Sequence, residues 1–216
     1  MNKAFTSRSL LANVLQVFAI ILLWLPLSSS AGEDALYGPV APPGSAFIRV
    51  FNASAIESID ASAAELKMTD VASMAASDYS FLAPGDLNAT VGGTPLTGKL
   101  APNKHYTLVF LGEGLAQLVE DAYFENRKKA LISFYNFTDA QPLTLKTADG
   151  KVAVVSNTAS GQRGERMLNA VKLGMSVFAG TAKVGDIAPY VLERGKVSSL
   201  FALGHSSAPV FVWIEG

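Results

Sequence analysis

The chain of 216 residues contains no cysteine. Disulfides, thiolate metal centres and thiol nucleophiles are therefore excluded, and so is a lipid-modified cysteine. Histidine is scarce, with only His105 and His205, and charge is thin: Asp, Glu, Lys and Arg make up 16% of the residues, 17 cations against 18 anions. Without an excess of positive charge there is no electrostatic footprint for nucleic acid. Half of the residues are hydrophobic, too many for a disordered chain, and the length suffices for one or two domains with real cores.

What is present starts with an address. Lys3 and Arg8 precede the uncharged stretch Leu10–Leu27, and Ser28, Ser29, Ser30 and Ala31 follow it. A positive start, an apolar run and small residues at its end predict a secretory signal peptide over residues 1–31, cleaved after Ala31. The rival is an uncleaved anchor, because the run approaches the length of a spanning helix. Asn13 and Gln16 interrupt it, however, and Pro26 stands where a signal helix would break. After cleavage, residues 32–216 keep no stable membrane anchor and carry 15 cations against 18 anions. An exported chain without cysteine suits a bacterial periplasm. Three N-x-S/T triplets, at Asn52, Asn88 and Asn136, are expected by chance in a chain rich in Ser and Thr.

The rest reads as two similar halves. Ala46–Ser54 resembles Ala130–Thr138 at an offset of 84: an apolar strand, then Asn, a small or apolar residue, and a hydroxyl. Leu100–Leu108 resembles Leu192–Leu200 at an offset of 92, each followed by Leu-Gly. Duplication explains both matches; two unrelated β-domains with shared turn chemistry is the alternative. The predicted organisation is all-β: two tandem β-sandwich-like domains after a cleaved N-terminal signal peptide. The N-terminal domain spans 32–124, a charged linker 125–130, and the C-terminal domain 131–216. Strands are expected at 47–52, 78–82, 106–111, 117–120, 131–136, 143–147, 152–155, 171–178, 197–203 and 210–214. Ala148-Asp149-Gly150, Pro84-Gly85-Asp86, Gly92-Gly93 and Gly185-Asp186 are expected as turns. Residues 61–76 are helical by propensity but alternate at Leu66 and Met68, which favours strand.

No chemistry announces itself. No G-x-S-x-G elbow is present, and no Asp stands three residues before either His. The adjacency of His205 and Ser206 does not make a triad. No ligand spacing for a metal and no phosphate loop is found, so no cofactor is expected. Phe211 and Trp213 alternate on one face of the last strand, read as core. The candidate binding residues are Tyr37 and Tyr190 at strand ends or in loops, Arg127 and Lys128 in the charged run, and Arg163 and Arg166. The last two sit in Gly161-Gln-Arg-Gly-Glu-Arg, read as a flexible basic loop able to meet a carboxylate.

Five strings, in order, carry a resemblance: Ala35-Leu-Tyr-Gly-Pro39, Phe81-Leu-Ala-Pro-Gly-Asp86, Asn126-Arg127-x-Lys129-Ala130-Leu131, Leu143-Thr-Leu-Lys-Thr-Ala-Asp-Gly-Lys151 and Gly164-Glu-Arg-x-x-Asn-x-Val-Lys172. Together they resemble the AlgF family of periplasmic alginate O-acetylation factors. The resemblance implies a protein needed to place acetyl esters on mannuronate residues of alginate. It also implies that the transfer chemistry belongs to separate periplasmic acetyltransferases of the Ser-His-Asp type, fed by a membrane acetyl carrier. The family carries no catalytic residues over to this sequence. It implies a non-catalytic adaptor bridging those enzymes or the alginate polymer. A stand-alone polyuronate-binding module and a hidden acetyltransferase or esterase are the alternatives.

Overall fold

The structure, a computed structural model, describes residues 40–112, 114–139 and 141–215. The expected signal peptide with its cleavage point, and Tyr37, lie outside these residues. Sixteen strands are described: β1 Ala46–Asn52, β2 Ser58–Ala63, β3 Leu66–Ala72, β4 Ser80–Leu82, β5 Gly85–Val91, β6 Thr94–Leu100, β7 His105–Gly112 and β8 Leu115–Glu120 in the N-terminal half; β9 Ala130–Thr138, β10 Leu143–Thr147, β11 Ala153–Thr158, β12 Gln162–Leu168, β13 Lys172–Ala179, β14 Ala182–Val191, β15 Val197–Gly204 and β16 Val210–Glu215 in the C-terminal half. They form four four-stranded sheets, ordered β4-β1-β7-β8 and β3-β2-β5-β6 in the first half, β12-β9-β15-β16 and β11-β10-β13-β14 in the second. The halves match strand for strand, β1 with β9 through to β8 with β16. In each, two central strands run parallel, β1 with β7 and β9 with β15.

Each half is a sandwich of an inner and an outer sheet, and the two inner sheets also pack on one another. That double burial explains the apolar runs seen in the sequence. Every residue of β9 is buried, and all of β1 but Phe47. Side chains alternate between two destinations. Ile48 and Val50 of β1 and Leu108 and Phe110 of β7 face the core of the first sandwich. Ile132, Phe134 and Leu200 do the same in the second. The intervening Phe51, Val109, Tyr135, Phe137, Phe201 and Ile214 build a third core between the inner sheets. Phe201 is its hub, stacked on Tyr135 at 4.3 Å between ring centroids and tilted against Phe51 at 4.6 Å. Each such ring contributes about 2 kcal/mol by leaving water.

The outer sheets depart from the sequence reading. Strands β2, β5, β6 and β14 were not expected; residues 61–72, where alternation favoured strand, complete β2 and form β3. Outward positions there hold Ser, Thr, Asn, Asp and Lys in place of β-branched apolar residues, so the apolar signal drops to every second residue. Gly161–Arg166 is not a flexible loop: from Gln162 it is β12, paired with β9, which sets Arg163 opposite Tyr135 and Arg166 opposite Ile132. Gly185-Asp186 is not a turn but lies inside β14. A Cβ on Gly185 would stand 2.4 Å from the Phe211 ring, so the glycine serves close packing between sheets. Pro84 bends the chain, and Gly85 and Asp86 already belong to β5. The Asp149-Gly150 turn forms as expected: Gly150, at φ +71°, donates its N–H to the Thr147 carbonyl at 2.7 Å.

Candidate functional site

Both halves end their first strand in the same device. Asn52 donates from Nδ2 to the carbonyls of Ile56 and Val71, and its Oδ1 accepts from the N–H and hydroxyl of Ser54. Asn136 donates to the carbonyls of Gln141 and Thr158, and accepts from the N–H and hydroxyl of Thr138. Both side chains are fully buried. The Asn-x-Ser/Thr triplet at these two positions is thus a hydrogen-bonding cage that ties β1 and β9 to the loops after them, not a chance match to a glycosylation signal.

The seam between the halves opens at both ends. One end is a cleft of about 270 Å³ lined by Arg49, Tyr79, His105, Asp121, Tyr123 and Lys196. Its floor is a buried polar network. The Asp121 carboxylate accepts from Thr107 at 2.6 Å and Tyr79 at 2.8 Å on one oxygen, and from Tyr135 of the other half at 2.7 Å on the second. Arg49 donates from Nε to Thr107 at 3.0 Å and from Nη1 to the Glu215 carbonyl, also of the other half, at 2.9 Å. Its guanidinium lies over the Tyr79 ring at 4.6 Å. The Thr107 hydroxyl therefore relays between cation and carboxylate. Burial, then the Asp121 charge, pushes the Tyr79 and Tyr135 hydroxyls well above the usual phenol range, so both stay protonated donors. His105 stacks flat on Phe47 at 4.6 Å and meets Tyr79 edge-on at 5.1 Å. Burial holds its pKa below the ordinary histidine value. The network consumes its groups in one another, and across the seam they clamp the halves; Gln117 adds a third tie, donating to the Gly161 carbonyl at 3.0 Å.

The other end is an open groove of about 720 Å³ whose lining pairs equivalent positions of the two halves: Ala53 with Phe137, Ser54 with Thr138, Leu111 with Leu203, Gly112 with Gly204. On its rim the fold brings Asp139 to a turn that holds His205 and Ser207. His205 Nε2 is 3.0 Å from Asp139 Oδ2, and Nδ1 is 2.7 Å from the Ser207 hydroxyl. Ser206, the hydroxyl noted in the sequence, gives its N–H to Asp139 instead. The contact of Ser207 with a histidine two residues earlier closes a tight turn. It uses Nδ1, which also accepts the Ser207 N–H at 3.3 Å, and the three groups stand in water rather than in a desolvated pocket. Among the described residues, no group of three or more acidic or histidine side chains is placed to hold a metal.

The residues nominated from sequence do not converge. Arg127 and Lys128 are exposed between β8 and β9. Arg163 turns to Glu165 at 3.5 Å and leaves Nη1 buried without a partner. Arg166 donates to the Ala153 carbonyl at 2.6 Å, latching β12 to the neighbouring outer sheet. Tyr190 stacks on Trp213 at 3.9 Å, with its hydroxyl on Glu215. Trp213 and Phe211 pack against the second sandwich core, as their alternation suggested. The Arg49–Asp121 network escaped sequence reading because its members are spread over two domains, with Arg49 and the Glu215 carbonyl 166 positions apart.

The profile of one family, described as "Alginate O-acetyl transferase AlgF", matches residues 20–199. The chain belongs to the AlgF family. It is 44% identical to the alginate biosynthesis protein AlgF of Pseudomonas fluorescens over 88% of this chain and 86% of that one. To the AlgF of Pseudomonas putida it is 41% identical over 97% and 96%, and to that of Pseudomonas aeruginosa 42% over 87% and 86%. Two solved AlgF structures from P. aeruginosa are also similar. The C-terminal domain is 38% identical, covers 41% of this chain and 99% of its own, with a TM-score of 0.38; the N-terminal domain is 42% identical, covers 38% and 100%, with a TM-score of 0.34.

Proposed function

We propose that the protein is a non-catalytic periplasmic adaptor of alginate O-acetylation, holding the acetyltransferases near one another or near nascent polymer. The observation that carries this reading is the third core with its Arg49 and Asp121 ties. It makes two sandwiches one body, so whatever binds one half is held at a fixed distance from whatever binds the other. The buried polar groups of the seam are spent on that clamp rather than aimed at a substrate.

The family's description as an O-acetyl transferase, and the Asp139–His205–Ser207 grouping, favour a second reading: an acetyltransferase or esterase in its own right. A histidine oriented by a carboxylate and touching a hydroxyl is the geometry of an activated nucleophile. Against it stand the exposure of all three groups and the turn contact through Nδ1.

Residues 32–216 are to be mixed with each purified soluble acetyltransferase of the same organism, and acetate release from an ester substrate followed in the same tubes. Complex formation with no release from the protein alone supports the adaptor. Release that disappears in Ser207→Ala and His205→Ala establishes the enzyme. Binding to oligomannuronate with no binding to a transferase leaves a polyuronate-binding module.

A further inference from the structure

The two halves share a fold but not a charge. Residues 41–124 carry 4 Lys/Arg against 9 Asp/Glu, and residues 125–216 carry 11 against 7. The excess of cations in the second half is not spread evenly. Three segments meet at its end nearest the Arg49 cleft. Gly195 donates its N–H to the Lys129 carbonyl at 2.7 Å, Leu131 to Lys196 at 3.0 Å, and Leu192 to Val171 at 3.0 Å. Lys129 Nζ reaches Asn169 at 2.6 Å. This gathers Arg127, Lys128, Lys172 and Arg194 on one exposed end, none with a carboxylate within 4 Å among the described residues. Between them lie three large apolar side chains that the fold leaves in water: Met167 at 52%, Val171 at 45% and Val191 at 57% exposed.

The fold does not demand this surface. The loop equivalent to Leu192–Lys196 in the first half is Leu100–Lys104: Lys104 is paired with Glu120 at 2.7 Å as its counterpart Lys196 is with Glu193 at 2.8 Å, but where the second half adds Arg194 the first has Pro102. From this contrast we infer that the basic end of the C-terminal half is a docking surface for an acidic protein face with an apolar centre. Free cations around unburied aliphatic side chains match the polar rim and apolar middle of a protein interface. Sugar recognition would instead call for flat aromatic platforms, and the aromatic side chain best suited to one in this half, Trp213, is already covered by Tyr190. The inference rests on the adaptor reading and names one of its two contact faces.

The test measures the affinity of residues 32–216 for each purified acetyltransferase at low and at high salt. Three variants are compared with the parent: R127E/K128E/R194E, M167S/V191S, and K67E/K99E on the outer sheet of the first half. The triple reversal is expected to weaken one partner's binding at low salt by about tenfold or more and to flatten its salt dependence. M167S/V191S is expected to weaken it with the salt dependence intact, and K67E/K99E to change nothing. Parent-like binding by both C-terminal variants overturns the docking surface while leaving the adaptor standing. No binding of the parent to any transferase overturns both. In parallel, oligomannuronate and vesicles of phosphatidylethanolamine and phosphatidylglycerol are offered to the same proteins. Loss confined to either of those arms overturns the protein-face assignment.

Discussion

Arg49 in the first half and Ser133 in the second occupy the same position of the same strand, and they have opposite fates. Arg49 reaches across the seam to Glu215 and, through Thr107, to Asp121. Ser133 is fully buried in the equivalent place with its hydroxyl unpaired. The difference teaches how a duplicated fold becomes a single asymmetric molecule. A seam between two like sheets offers each position twice. Here one copy keeps a long cation with its partners, and its counterpart is cut down to a small side chain.

Replacing Arg49 with Met should therefore have the largest effect, about 3–4 kcal/mol of lost stability, because Asp121 and the Thr107 hydroxyl stay buried without it. Urea unfolding of the parent and the variant measures this; a loss below about 1 kcal/mol would mean that the apolar core alone sets the seam. Next come the two cages. Asn52→Ala and Asn136→Ala should each cost about 3 kcal/mol and agree within about 1 kcal/mol, since each leaves one buried carbonyl, one part-buried carbonyl and two donors unmatched. Unequal losses in the same assay would show that the halves differ in their tolerance of a lost strand end. Ser133→Ala should be neutral or stabilise by up to about 1 kcal/mol, because it removes a buried hydroxyl that bonds nothing; a clear loss would reveal a partner for it.

The smallest expected effect is in pH. His105 has a folded pKa below its unfolded one, so the unfolded state binds the proton more readily. Its contribution is present above about pH 6.5 and is lost as the pH falls through that value toward the folded pKa. His105→Phe should flatten the stability profile over that window. The equivalent residue of the second half is Val197, which has nothing to titrate. A profile unchanged by the substitution would assign the acid sensitivity to carboxylates.

How legible each part was follows from burial. The inner strands β1, β7, β9 and β15 announce themselves, because burial on both faces leaves near-continuous apolar runs such as Phe47–Phe51 and Leu131–Tyr135. The outer strands and the edge strand β12 did not: in Asp86–Val91 and Thr94–Leu100 alternate residues face solvent and carry polar groups, no residue of Gln162–Leu168 is fully buried, and Gly98, Gly164 and Gly185 stand where a larger side chain from another strand presses in. Length and turn chemistry cannot tell such segments from loops. The Asn cages were visible as a repeated Asn followed by a hydroxyl two residues on, although their purpose was not. The Arg49–Asp121 network left no local trace, since it is made only when distant strands meet, and the same holds for the approach of Asp139 to the local His205–Ser207 turn. The basic end was half visible in Arg127 and Lys128; Lys172 and Arg194 join them through hairpin and loop contacts that no spacing reveals.

The parallel pairing at the centre of each half has a consequence for how the molecule comes to exist. Phe47 lies beside His105, and Leu131 beside Val197. Each inner sheet therefore waits until the whole intervening outer sheet has been laid down before its two middle strands can meet. Contacts so remote along the chain carry a large loop-closure cost before any reward. Refolding should fall in the millisecond-to-second range of β-sandwiches rather than among the microsecond folders, with the aromatic hub around Phe201 completed last, once both halves have closed.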